Sequence, residues 1–236
     1  MKSTAILLKK IKYGEKNLIL QTFTREEGSK AFFIGGSLTH GKSKASLPAL
    51  SVLDIVATKG KGDLMRVKEI QLIQKNYELI SNVHKASLLM FINEVLIKSI
   101  GDYNQDEELF DFIAMSIRLL DEQKENEVNY HLKFMLELSK YLGFYPNGQF
   151  SESKPIFDMF EGIFTSDLPI HQASLSPEIS IIFDKLLSCS MLNSFEVKMT
   201  NKDRRAILSA IIDYYRIHLE KFEELKSKEV LEIVLS

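Results

Sequence analysis

The sequence predicts an α+β chain in which a small closed β-barrel of five strands precedes a helical body. Short segments rich in β-branched and aromatic residues, punctuated by glycine and charged turns, fill roughly the first eighty positions. Near Asn76–Asn82 the apolar period lengthens to that of a helix and stays there. The charge divides at the same place. Residues 1–80 carry 14 Lys+Arg against 7 Asp+Glu, and residues 81–236 carry 16 against 25, behind a net charge of only −2. A basic front half of this kind suits a polyanion, although a solvated basic face explains it as well.

The strands come in order. Thr4 to Tyr13 is aliphatic and β-branched, and Tyr13-Gly14-Glu15-Lys16-Asn17 turns the chain into a second strand from Leu18 to Thr24. Glu26-Glu27-Gly28-Ser29 makes the next turn, before Lys30 to Ile34. A soft polar stretch from Gly35 to Ser46 separates this strand from a fourth, Val52 to Thr58. Lys59-Gly60-Lys61-Gly62-Asp63 then connects to a fifth, Leu64 to Ile73. Five strands in so few residues leave no room for crossover helices. The five-stranded OB-fold barrel is the common solution, placed over residues 1–80.

Residues 81–236 read as a helical domain. Leu88, Ile92, Val95, Leu96 and Ile100 mark one helix, and Leu109, Phe112, Ile113, Ile117 and Leu120 a second. Residues 128–142 are apolar on more than one side, which predicts a central helix ended by Gly143 in the left-handed conformation. Periodicity then lapses over about 144–175, where Pro146, Pro155 and Pro169 mark an irregular, metal-free insertion. Ser176-Pro177-Glu178 opens another helix. Thr200-Asn201-Lys202-Asp203 resembles a capping box with Asp for Glu and opens the longest one, carried by apolar residues as far as Phe222.

Catalytic chemistry is not visible. No His-Glu-x-x-His motif occurs, and the histidines at 40, 84, 131, 171 and 218 are scattered. Gly41-Lys42-Ser43 would need Gly36 as the first glycine of a phosphate loop, and the flanking strand–loop–helix context is wrong. Cys189 is the single cysteine, so an internal disulfide and a four-cysteine zinc site are excluded. It reads as a small apolar helix residue. We expect no catalytic residue, no metal and no cofactor. The short apolar start, running at once into Lys9-Lys10, suits a cytoplasmic protein with no membrane partner.

The chemistry that remains is a positive groove for a phosphate backbone. Its candidate DNA-binding cations are Lys9, Lys10 and Lys12 on the first strand, Arg25 and Lys30 about the second turn, and Lys42 and Lys44 in the polar stretch. Lys59 and Lys61 in the hairpin, with Arg66 and Lys68 on the last strand, complete the set. Tyr13, Phe23, Phe32 and Phe33 are the nearby rings. Phe23 reads as core, and strand alternation sends one of Phe32 and Phe33 inward, which leaves at most two rings for stacking. Binding dominated by the backbone and blind to sequence is the expectation.

Specific residues carry a resemblance to the RecO family of recombination mediators. Tyr13-Gly14-Glu15 followed by Phe23-Thr24-Arg25-Glu26-Glu27-Gly28 is similar to the family's opening. Leu47-Pro48-Ala49-Leu50-Ser51-Val52-Leu53-Asp54 resembles its Leu-Gln-Pro-Leu-type stretch, and Tyr141-Leu142-Gly143-Phe144-Tyr145-Pro146 its Leu-Gly-Phe-x-Pro signature. Arg204-Arg205, Tyr214-Tyr215, His218 and Leu225-Lys226-Ser227 match its C-terminal region.

The resemblance implies a non-enzymatic protein of the bacterial cytoplasm, at the nucleoid when acting, that binds single- and double-stranded DNA and promotes annealing. With a RecR-like partner it would help RecA replace single-strand-binding protein. Many members carry two Cys-x-x-Cys pairs after Leu-Gly-Phe. Here neither pair is present, and the aromatics of Pro155 to Phe164 are expected to supply by packing what zinc supplies elsewhere. The family also implies recognition of the acidic, apolar-ended tail of single-strand-binding protein. Arg204 and Arg205 are the candidate protein-binding edge of that pocket, with helix-face ion pairs to Asp203 or Glu196 as the alternative. Two rival functions stay open: a barrel that binds protein as an interaction adaptor, and a nuclease.

Overall fold

The computed structural model describes residues 1–36, 47–60, 64–74, 77–124 and 127–235, and divides into two compact units, Met1–Glu122 and Gln123–Ser236. Among the described residues no helix is long and apolar enough to cross a membrane.

In the first unit, β1 (Lys2–Tyr13), β2 (Asn17–Thr24), β3 (Gly28–Ile34), β4 (Val52–Lys59) and β5 (Met65–Leu72) close into a barrel of order β1-β2-β3-β5-β4. β1 pairs with β2 from Ala5 to Tyr13 but meets β4 only from Lys2 to Ile6, so its second half runs on past the closure. The barrel is shut on its other side by a short parallel pairing of Phe32 with Met65 and Phe33 with Arg66. Ala5, Leu7, Leu20, Phe32, Ile34, Leu53, Ile55, Ala57 and Val67 fill the interior. The run Ala5-Ile6-Leu7-Leu8 does not alternate because both faces of β1 are buried there: Ala5 and Leu7 inside the barrel, and Ile6 and Leu8 on the other face.

α1 (Tyr77–Ser81), α2 (Val83–Ile100) and α3 (Glu107–Glu122) come next; α2 packs against β1, and α1 packs on α2 and α3. Phe23 is fully buried and stacks on Phe110 of α3 with ring centroids 6.4 Å apart. The Ser29 hydroxyl donates to the Ile100 carbonyl, and the Ser29 amide to that of Tyr103. Gly28 sits under this contact at φ 72°, and a Cβ there would lie 2.5 Å from the Asn104 carbonyl carbon, so glycine is required twice over.

The second unit is built on α4 (Tyr130–Tyr141), which is buried nearly all round, as its apolar pattern predicts. It ends in a Schellman motif: the Gly143 amide donates to the Lys140 carbonyl and the Phe144 amide to that of Ser139, with Gly143 at φ 86°. The stretch read as irregular holds a small antiparallel sheet, β6 (Ile156–Asp158), β7 (Ile163–Thr165) and β8 (Ser174–Leu175), in the order β7-β6-β8. Strands of two or three residues are too short to show alternation in sequence.

Phe157 is the hub of this sheet. It is fully buried against Phe183 (4.7 Å), Phe164 (5.1 Å) and Tyr214 (5.8 Å). α5 (Pro177–Ser188), a 3₁₀ turn (Ser194–Glu196), α6 (Asn201–His218) and α7 (Ser227–Val234) complete the unit. The Thr200–Asp203 capping box is present in both directions, and the Thr200 hydroxyl and amide together hold the Asp203 carboxyl below its ordinary range. α6 ends before Phe222, which is nonetheless buried against Tyr215 at 5.0 Å. Cys189 lies at the end of α5, half-buried, with its thiol raised by burial.

Candidate nucleic-acid interface

Residues directly opposite in a ladder share a face, so the pairing sorts the barrel's cations. Inward residues define one set: Leu7 opposite Thr22, and Leu20 opposite Phe32. A register shift between Leu7 and Lys9 swaps the faces of the later β1 residues. Lys9, Ile11 and Tyr13 therefore lie outside, opposite Gln21, Ile19 and Asn17. Lys10 and Lys12 lie opposite Leu20 and Leu18 on the inner side, yet both are exposed because β1 has by then passed beyond β4.

One outward row crosses five strands. It runs Ile11, Ile19, Phe33, Arg66, Thr58, each paired with the next. At about 4.8 Å per strand spacing the row is roughly 19 Å long. Arg66 is exposed, and a second register shift between Val56 and Ala57 falls opposite Lys68, also exposed, with Glu69 beside it. Lys59 is exposed at the end of β4. This sheet face, with the β1–β2 and β4–β5 connections, is where OB-folds take oligonucleotides.

The rings divide as alternation requires. Phe23 and Phe32 are fully buried, Phe33 is half-buried and Tyr13 is 58% exposed. Tyr13 and Phe33 meet edge to face, with centroids 6.0 Å apart and planes at 83°. Sequence reasoning narrowed the free rings to two. It missed that these two touch, because the contact depends on the register shift in β1.

Arg25 and Lys30 are differently placed. The Arg25 guanidinium reaches α3, 2.9 Å from Asp111 and 3.5 Å from Glu107, and Lys30 pairs with Glu27 at 2.9 Å. Residues 81–122 bring 3 Lys+Arg and 8 Asp+Glu into this unit, so the basic excess of residues 1–80 is nearly cancelled over Met1–Glu122 as a whole. Lys42, Lys44 and Lys61 lie outside the described residues. Gly36 through Ser43 does have the letter spacing of a phosphate loop. The strand before it, however, belongs to a closed barrel and not to the parallel sheet that such loops require, and residues 37–46 also lie outside the described set.

In the second unit, Arg204 and Arg205 edge a pocket whose apolar walls are Leu208 of α6 and Leu231 and Leu235 of and just beyond α7. Arg204 donates from Nε to the Asn129 side-chain oxygen at 3.0 Å and from Nη1 to that of Asn201. Its expected acidic neighbour Asp203 is occupied by Thr200 instead. Arg205 is exposed, and its contact among the described residues is a long one, 3.5 Å, to the Glu232 carbonyl. His131 lies under the pocket, its pKa pushed down to about 3 by burial and by the Arg204 charge. The α7 wall was not foreseen, since its eight residues carry no cap signal.

Among the described residues no group of three or more His, Cys, Asp or Glu is arranged to hold a metal ion. His171 instead approaches Asp158 at 3.3 Å and packs on Phe160 at 4.5 Å.

The chain matches two family profiles end to end. Residues 1–76 match the one described as Recombination protein O N terminal, and residues 80–229 the one described as Recombination protein O C terminal. It is 35% identical to the DNA repair protein RecO of Flavobacterium psychrophilum, over 100% of this chain and 99% of that one. It is 34% identical to the RecO of Flavobacterium johnsoniae, with the same coverage. Identity to the RecO of Azobacteroides pseudotrichonymphae is 32%, over 99% and 98%. A barrel of this order with these helices behind it, matched along its whole length, places the chain in the Recombination protein O (RecO) family.

Proposed function

We propose that this chain is a non-enzymatic recombination mediator that binds single- and double-stranded DNA on its barrel and promotes annealing. A role in DNA repair comes with the family. The finer reading rests mainly on one observation: six exposed cations, Lys9, Lys10, Lys12, Lys59, Arg66 and Lys68, border the ligand face or mouth of the barrel. Lys42, Lys44 and Lys61 join them as sequence candidates, whereas Arg25 and Lys30 are committed to carboxylates. Cations that lower phosphate repulsion between two strands let pairing energy drive annealing, and no catalytic side chain is needed. In the cytoplasm, a RecR-like protein and a RecA filament are the implied collaborators.

The pocket edged by Arg204 and Arg205 is the proposed seat of the tail of single-strand-binding protein. An apolar slot takes the hydrophobic end, and the exposed Arg205 faces the acids.

The deciding experiment is binding of single-stranded DNA at several salt concentrations. Each neutralised phosphate contributes about −0.7 to the slope of log affinity against log salt, so engagement of four or five cations predicts a slope of about −3. An interaction adaptor would bind no oligonucleotide at any salt. Cleavage of labelled DNA in the presence of a divalent metal would favour the nuclease.

A further inference from the structure

The sheet face that carries the cations also carries an aromatic pair that lies outside the barrel interior. Tyr13 is the last residue of β1 and 58% exposed, while Phe23 and Phe32 are fully buried and fill the interior or the helix contact. We propose that Tyr13 and Phe33 form a stacking site for one unpaired nucleobase, so that the barrel prefers single strands to duplex. The inference rests on the DNA-binding reading and deepens it.

Three features point to a nucleobase as the occupant. The edge-to-face contact with Phe33, 6.0 Å between centroids, holds the Tyr13 ring in one orientation and reduces the ordering cost of stacking. The pair is bracketed by positive charge. Lys9 lies four residues back on the same face of β1, and Arg66 pairs in register with Phe33. A base on the rings thus places its flanking phosphates toward cations on both sides. Ile11, 36% exposed and on the same face, continues the apolar strip between Lys9 and Tyr13. A duplex keeps its base faces inside its own stack and offers only phosphates to this surface, so the rings add nothing to duplex binding.

The test uses the full chain and its Tyr13→Ala and Tyr13→Phe variants, with a thymidine oligonucleotide and a blunt duplex of the same length. Tyr13→Ala should weaken single-strand binding by about 5- to 150-fold and duplex binding by less than about twofold, with the salt slope unchanged. Tyr13→Phe, which keeps the ring, should bind as the parent does. A 2-aminopurine base in the oligonucleotide should be quenched by the parent and less by Tyr13→Ala. Equal losses on both ligands, no loss on the single strand, or failure of Tyr13→Phe would each overturn the stacking site and leave the backbone reading standing. If the parent binds neither nucleic acid, the DNA-binding reading itself falls and takes this one with it.

Discussion

Lys9 and Lys133 show how differently the two units use a cation. Lys9 stands exposed on the outer face of β1, and among the described residues no ion pair holds it. Lys133 is 1% exposed inside the second unit, where its ammonium donates to the Leu187 carbonyl at the end of α5 and meets Glu137 at 2.6 Å. Burying an ammonium costs several kcal/mol unless its donors are met, so Lys133 is fixed as part of the framework. The same holds for Asn129, whose amide donates to the Ser194 and Val197 carbonyls while its oxygen accepts from Arg204. The barrel keeps its charged side chains outside, available to a ligand, and the helical unit spends much of its polar chemistry on holding loops together. A basic residue is therefore a better pointer to DNA on the barrel strands than in the second unit.

The largest expected effect tests the framework side. Phe157→Ala removes a fully buried ring that joins β6 to β7, α5 and α6 through Phe164, Phe183 and Tyr214. Its cost should be about 3–5 kcal/mol in denaturant unfolding, the usual range for a buried aromatic truncated to alanine. DNA affinity of the folded variant should not change. A loss under about 1 kcal/mol would mean that the aromatic cluster is not what secures this insertion.

A smaller effect depends on pH and separates the units again. His131 is fully buried, with its pKa lowered from 6.5 to about 3 by desolvation first and the Arg204 charge second. The folded state therefore holds this imidazole neutral. Well above pH 6.5 neither state is protonated and the full stability is present. As pH falls below 6.5 the unfolded chain binds a proton that the folded one refuses, and stability drops at about 1.4 kcal/mol per unit. The second unit should lose about 1.6 kcal/mol between pH 6.5 and about pH 5, and His131→Gln should flatten that portion of the curve. A parent curve that is already flat over this window would show that the site admits the charge.

These contrasts explain what the sequence made legible. Strand period and turn residues were enough for the barrel, and alternation required one of Phe32 and Phe33 to face inward, which the structure shows to be Phe32. Gly143 and the Thr200–Asp203 box were readable because caps are local chemistry. Long-range matters were not. The partners of Arg25, Glu107 and Asp111, are more than eighty residues away in sequence, so its charge looked as available as that of Lys9. The apolar spacing of α6 runs on to Phe222 although the helix ends at His218, because a turn after the helix can bury the same ring. In the pocket, Arg204 takes neutral amide partners from Asn129 and Asn201, a choice that no charge pattern encodes.

The smallest expected effect is the sharpest for the barrel, since it compares two cations of the same unit. Lys9→Gln removes an exposed charge on the outward face, beside the row that runs from Ile11 to Arg66. If that charge meets one phosphate of a single strand, the salt slope should flatten by about 0.7 and affinity should fall alike for all sequences. Arg25→Gln removes a charge already neutralised by Asp111 at 2.9 Å and Glu107 at 3.5 Å. To reach a phosphate, Arg25 would have to leave both carboxylates, and the two freed acids would then repel the strand. Its replacement should leave the slope within about 0.2 of the parent, and the exposed pair it breaks should cost no more than about 1 kcal/mol of stability. Parallel salt titrations of the two variants decide the matter. Equal flattening by both would move the DNA path across the turn between β2 and β3, toward α3, and away from the face that carries Tyr13 and Phe33.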